Sequence, residues 1–256
     1  MVERRSSLSR HGIFGILRRL MFVLLPVLIS AILALMPMAV QSAESAKGSD
    51  QLSAEARLAM KSVSERYRKM KNWQADFSQE TFSAGLGRGT FQTGTFSFAD
   101  PALINFQVTG GTETSQFVSD GRQAWHLKYP LGRKKPAEGY HFANLSSIEL
   151  SRYLIFLKGF DVSDANKEKK FLAEYKVSAK VDPSEIILTL EPKKSSEVSS
   201  VQLHFSQSKI PPQKIVLEDA IGNTTTVTLT KVTLDAKLTA QSFKPEIPRG
   251  SKILEK

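Results

Sequence analysis

The amino-acid sequence predicts an α+β fold in which about ten or eleven short antiparallel strands form a curved sheet or partial barrel with helices at one face. Three observations carry this. Apolar residues recur at three- and four-residue spacing before Trp73, the period changes to two there, and alternation then returns repeatedly as far as Leu234 between turn signals.

In chain order, Leu52, Ala56, Met60, Val63, Tyr67 and Met70, with Ala59 on the same side, form the apolar stripe of an amphipathic helix. Asp50 or Ser53 is placed to cap its start. Trp73, Ala75 and Phe77 alternate with Gln74, Asp76 and Ser78, so the chain becomes a strand. Residues 89–99 form the next strand, with Phe91, Phe96 and Phe98 apolar and Gly94 marking a bulge where the alternation slips. Ile104, Phe106 and Val108 mark a third strand, and Phe117 and Val118 a fourth. Asp120-Gly121 is a hairpin signal leading into Trp125, Leu127 and Tyr129.

Residues 130–139 read as a basic, Pro- and Gly-rich loop. The dense apolar cluster Ile148, Leu150, Leu154, Ile155, Phe156 and Leu157 reads as a short buried helix ending near Gly159. Strands resume at Tyr175, Val177 and Val181, at residues 186–190 after the Asp182-Pro183 turn, and at Val201, Leu203 and Phe205. They end with residues 215–217, the Gly222-Asn223 turn, and Val227, Leu229, Val232 and Leu234.

Ahead of this domain lies a leader. Residues 4–19 are basic, residues 20–35 apolar, and residues 36–45 small and polar, the order of a secretory signal. Small residues in Val40-Gln41-Ser42 and Ala43-Glu44-Ser45 suit cleavage at either place, so the expected division is a signal peptide over 1–43 and a single mature domain over 44–256. An uncleaved anchor is the alternative, because residues 20–40 approach the length that spans a bilayer. Of the formal charge of +10, the leader carries +4 and the remainder +6. The basic residues are scattered through strand-like segments, which describes a solvated surface and gives no expectation of a nucleic-acid partner.

Cysteine is absent, which removes disulfides, thiolate nucleophiles and Cys-based zinc sites, and means the chain cannot itself carry the lipid of a lipoprotein. His126, His141 and His204 lie on separate elements, and His126 and His204, alternating with apolar neighbours, are expected to face solvent. No HExxH, GxSxG, P-loop or GxGxxG arrangement occurs, so neither an enzyme nor a cofactor site is expected. The glycine-rich stretch 85–89 joins two strands and opens no helix, so it lacks a phosphate cradle.

What stands out is aromatic loading, with 15 Phe and 2 Trp, many spaced by two in the first half of the sheet. They either fill a core shared with a second layer or line a greasy cavity beneath the helices; the pattern leaves both open.

Specific strings add to this. Met70-Lys71-Asn72-Trp73-Gln74-Ala75-Asp76-Phe77-Ser78-Gln79, Phe117-Val118-Ser119-Asp120-Gly121-Arg122-Gln123-Ala124-Trp125 and Phe243-Lys244-Pro245-Glu246-Ile247-Pro248-Arg249-Gly250 resemble, in order and spacing, the LolA-type outer-membrane lipoprotein carriers. The resemblance implies an unclosed antiparallel barrel with a helical lid over an apolar cavity that holds lipoprotein acyl chains in the periplasm. It implies a monomer that receives cargo from an inner-membrane lipoprotein-releasing ABC transporter and passes it to an outer-membrane receptor, with no cofactor.

On this resemblance the lining residues are Phe77, Phe91, Phe96, Phe98, Ile104, Phe106, Phe117 and Trp125 from the sheet, with Ile148, Leu154, Phe156 and Leu157 from the lid. The family often has a basic residue before the proline of Asp100-Pro101-Ala102-Leu103-Ile104-Asn105-Phe106, associated with lid closure; here it is Asp100, so any latch uses other partners.

Another periplasmic lipid-binding or lipid-sensing protein on the same fold is the alternative. The lipid-anchored receptor of the pathway requires a Cys, a stress sensor of this fold adds a further C-terminal domain, and a lipid hydrolase needs a nucleophile and base that are not evident.

Overall fold

Ser53 sets where the first helix begins. Its hydroxyl accepts the Ala56 N–H at 3.1 Å, capping α1 (Ala54–Lys69), and Arg66, Arg68 and Lys69 in the last turn complement the helix dipole. Replacing Ser53 with Ala is expected to cost about 1 kcal/mol. Urea denaturation followed by circular dichroism checks this, and an unchanged midpoint would show the cap to be dispensable. The computed structural model describes residues 52–111, 114–130, 132–145, 160–194, 198–207 and 211–256. The expected leader, and the expected lid helix with Ile148, Leu154, Phe156 and Leu157, lie outside the described residues.

After α1 the chain enters the middle of one sheet as β1 (Asn72–Ser83) and meanders outward through β2 (Arg88–Ala99), β3 (Leu103–Gly110), β4 (Ser115–Asp120), β5 (Ala124–Lys128) and β6 (Glu138–Phe142). It resumes with α2 (Ala165–Glu174), capped by Asp164, and β7 (Tyr175–Val181) at the opposite edge. From there β8 (Glu185–Pro192), β9 (Val198–Ser206), β10 (Lys214–Asp219) and β11 (Thr224–Leu234) meander back to pair with β1. A 3-10 turn (Ala240–Phe243) then precedes β12 (Lys252–Glu255), which pairs parallel with β6.

The order β12-β6-β5-β4-β3-β2-β1-β11-β10-β9-β8-β7 leaves β7 and β12 as edges, so the sheet is open and, except for β6–β12, antiparallel. This is the unclosed sheet expected, with 12 strands in place of ten or eleven. The reading as loop up to 139 missed β6, whose Gly139 approaches the His126 carbonyl so closely that a Cβ there would collide with it. β12 has only four residues, too few to show a period, and its partner is distant in the chain. α2 was also not foreseen; Phe171 is its one buried residue.

Because side chains alternate, the register assigns each residue to one of two faces. One face carries α1. There Ala59, Met60, Val63 and Tyr67 pack with Phe160, Val162 and Phe171 against Val177, Leu188, Leu203, Phe205 and Ile215 of β7 to β10. Tyr67 meets Phe205 edge-on at 6.0 Å, and burial pushes its hydroxyl pKa well above the ordinary value. The two helices are tied by Glu168, which Arg57 and Lys61 approach at 2.8 and 3.3 Å.

The opposite face is polar over β1 and β2 but covered over β3 to β6 by the C-terminal tail. The Tyr129 hydroxyl donates to the Glu246 carbonyl at 2.7 Å, Gln116 Oε1 accepts the Glu246 N–H at 3.1 Å, and Asn105 Nδ2 donates to the Ser242 carbonyl at 2.7 Å. Arg133 bridges Glu246 and Gln107, at 2.7 and 2.9 Å. The Phe/Pro/Gly segment therefore acts as a strap over the back of the sheet. Burial raises the Tyr129 pKa to about 12, which keeps the hydroxyl a donor throughout the neutral range.

Candidate functional site

Three rows of side chains cross the first half of the sheet on the face that carries α1. The middle row runs Ala75, Phe96, Phe106, Phe117, His126, Tyr140, each paired with the next across adjacent strands. One neighbouring row runs Trp73, Phe98, Ile104, Ser119, Ala124, Phe142, and the other Phe77, Gly94, Val108, Ser115, Lys128, Glu138. Toward the β1–β2 hairpin this face turns polar, where Gln79 Nε2 lies 3.5 Å from Gln92 Oε1 and the Thr81 and Thr225 hydroxyls are 3.4 Å apart.

The rows differ in how far they are enclosed. Trp73, Phe77, Phe96, Phe98, Ile104 and Val108 are buried in one cluster, with Phe106 and Phe117 only half-buried beside it. Gly94 explains part of the packing. A Cβ built there would lie 2.6 and 2.7 Å from the Phe77 ring and would meet the Gln107 carbonyl, so only glycine lets Phe77 lie across β2 and stack on Phe106 at 4.5 Å. Gly94→Ala is expected to destabilise the fold by about 2–3 kcal/mol, lowering Tm by roughly 5–10 °C. Differential scanning calorimetry reads this, and an unshifted Tm would show that Phe77 moves aside freely.

Six of the eight expected sheet residues, Phe77, Phe96, Phe98, Ile104, Phe106 and Phe117, come together on this face. Two do not. Phe91 is 54% exposed and sits across from Glu80 on the other face. Its placement with Phe96 and Phe98 relied on a bulge at Gly94, but β2 stays in continuous register with β1, and the irregularity falls on the β3 side, between the pairs Thr93–Gly110 and Gly94–Val108. Trp125 also faces the back, where its ring stacks on His141 at 4.8 Å near the strap. His141 in turn lies 2.6 Å from Glu255 Oε2 and 2.8 Å from Gln123 Oε1.

The expected lining set leaves out Trp73, Val108, Leu229, Tyr140, Phe142 and His126, which also lie on this face. Trp73 was legible from its alternation with Phe77, whereas Tyr140 and Phe142 required β6 to be recognised.

The expectation that His126 and His204 face solvent needs correction. His126 is 6% exposed, between Phe117 and Tyr140. Burial, assisted by the charge of Lys128, pushes its pKa down to about 4, so the ring is neutral at physiological pH. His204 lies on the back face but is pinned to Glu185, with Nδ1 2.9 Å from the carboxylate. Asp100 donates its backbone N–H to the Lys71 carbonyl at 2.8 Å and makes no ion pair among the described residues. Among these residues no group of three or more His, Cys, Asp or Glu is arranged to hold a metal ion.

Comparison with known proteins bears out the family resemblance. Residues 162–246 match the family described as outer membrane lipoprotein carrier protein LolA. Over 188 residues the chain is 26% identical to an outer-membrane lipoprotein carrier protein of Pseudomonas syringae pv. syringae (strain B728a), covering 73% of this chain and 83% of that protein. Among solved structures, an uncharacterized conserved protein from Thermus thermophilus aligns with TM-score 0.49 and 11% identity, over 78% of this chain and 99% of that one. A LolA superfamily protein from Nitrosomonas europaea aligns with TM-score 0.40 and 16% identity, over 74% and 97%.

Proposed function

We propose that this chain, which is similar to the outer-membrane lipoprotein carriers, is a periplasmic chaperone that shelters lipoprotein acyl chains. In this reading residues 1–43 are an export signal removed from a carrier domain over 44–256. Cargo arrives from an inner-membrane ABC transporter and leaves to an outer-membrane receptor, and the carrier works as a monomer that performs no chemistry on it.

The single observation that supports the reading most is the half-buried pair Phe106 and Phe117, which continue across the sheet the row begun by the enclosed Ala75 and Phe96. An aromatic row filled only by its own core would leave no apolar ring accessible there. The physical need is large: about 0.8 kcal/mol per exposed methylene makes the unshielded passage of three acyl chains through water cost tens of kcal/mol. Direction requires only that the receptor bind the lipid more tightly than the carrier does.

The test is uptake of a fluorescent fatty-acyl probe by protein purified after expression of the full chain. Saturation at one cargo equivalent with the probe recovered unaltered is the expected result. Hydrolysis of the probe would replace the carrier by an enzyme, and absence of uptake would remove lipid binding altogether. Release of a lipoprotein from inner-membrane vesicles distinguishes lipoprotein cargo from free lipid; vesicles that retain the lipoprotein while the acyl probe still binds would favour a general lipid-binding protein.

A further inference from the structure

We propose that His126 is a polar anchor inside the apolar face, binding the carbonyl oxygen of a cargo acyl group in ester or amide linkage. This rests on the carrier reading above and adds a specificity element to it.

His126 occupies a place in the middle row where every neighbour across the sheet is aromatic, Phe117 on β4 and Tyr140 on β6, with Phe106 and Phe96 beyond. Hydrophobic packing alone would be served by another Phe. A buried imidazole keeps a donor and an acceptor, and buried polar groups in folded proteins are nearly always hydrogen-bonded. Yet no hydrogen bond to the His126 ring occurs among the described residues, although the residue is only 6% exposed.

The Ser119 hydroxyl on the same face is committed elsewhere. Ser119, one row away, donates to the Ala102 carbonyl at 3.0 Å and accepts the Gly121 N–H at 3.1 Å. Lys128, two residues along β5 on the same face, disfavours a protonated ring. A neutral ring can still donate one N–H, and Lys128 leaves that unaffected.

These features select a ligand chemistry. A hydrocarbon passing over this row would leave the imidazole unpaired, whereas an acyl carbonyl brings an acceptor to the ring N–H with apolar chain on either side for the flanking rings. Phe106, Phe117 and Tyr140 then hold the chain while His126 sets how far along its length it seats.

The experiment uses the full-chain protein with three fluorescent probes of equal chain length, a diacylglycerol ester, an N-acyl amide and an alkane. The wild type is expected to bind the carbonyl-bearing probes more tightly than the alkane. His126→Leu is expected to weaken them about tenfold, equivalent to about 1.4 kcal/mol, and to leave alkane affinity within about twofold. His126→Gln, which keeps a donor of similar reach, should recover most of the loss. If only one of ester and amide responds, that linkage is the one recognised. An equal fall for all three probes would make His126 merely structural, and no fall for either carbonyl probe would remove the anchor while leaving the carrier intact. A wild type that binds none of the probes would overturn the carrier reading itself.

Discussion

Acidification from pH 6.5 to pH 4 is expected to cost the folded protein about 3 kcal/mol through His126, a loss that His126→Gln should abolish. The ring's pKa falls from 6.5 to about 4 because burial, reinforced by Lys128, disfavours the imidazolium. In the unfolded chain the same ring protonates near 6.5, so within that window the unfolded state binds more protons and stability falls as pH falls. Above 6.5 the ring is neutral in both states and contributes no slope. Below about 4 it is charged in both, and the loss is complete. One pKa unit corresponds to about 1.4 kcal/mol, which sets the size of the effect. Carboxylates add their own pH dependence, so the informative quantity is the difference between wild type and variant in urea denaturation at a series of pH values. Identical slopes would show that water reaches the ring in the folded state.

Phe106→Glu is expected to weaken acyl-probe uptake more than tenfold while the protein still unfolds cooperatively. Phe106 is stacked on Phe77 at 4.5 Å and lies 6.4 Å from Phe96, yet it is only half-buried, so part of the residue stays accessible. A carboxylate there retains some solvation in the empty protein but must be stripped of water when a chain is laid over it, which opposes binding. Two or three methylenes losing their apolar contact, at about 0.8 kcal/mol each, already exceed a tenfold change. Phe106→Leu keeps the surface apolar and should bind within about threefold of wild type. Uptake measured by fluorescence titration, with far-UV circular dichroism as the folding control, decides the matter. Unchanged uptake in Phe106→Glu would place the cargo away from this row, and equal losses in both variants would point to ring packing instead.

Much of the architecture was legible in order along the chain. The stripe from Ala56 to Tyr67 does lie on α1, Ser53 is the cap, and Asp120-Gly121 and Gly222-Asn223 are turns whose glycines hold φ of 88° and 82°. Each depends on local chemistry alone: a side-chain oxygen near free amides, or a residue without Cβ where φ must be positive. Gly94 was ambiguous for an equally physical reason, since glycine in a strand marks either a bulge or a close approach. The close approach prevailed because the Phe77 ring lies across it, and that choice sent Phe91 to the back.

His126 carries a related ambiguity. Alternation says that two neighbours point to opposite faces, and the apolar Trp125 and Leu127 lay claim to the enclosed one. On β5 both faces are enclosed, one by the strap that carries Glu246 and the other within the aromatic row.

The sequence by itself thus determined the first helix, most of the strands with their antiparallel order, and the turns between them, because these follow from backbone periodicity and turn stereochemistry. Which face is enclosed, that β12 returns beside β6, and that a histidine stands among aromatic rings were decided only by tertiary structure. Those outcomes depend on segments far apart in the chain meeting, and no local period encodes which distant segment will cover a given side of a sheet.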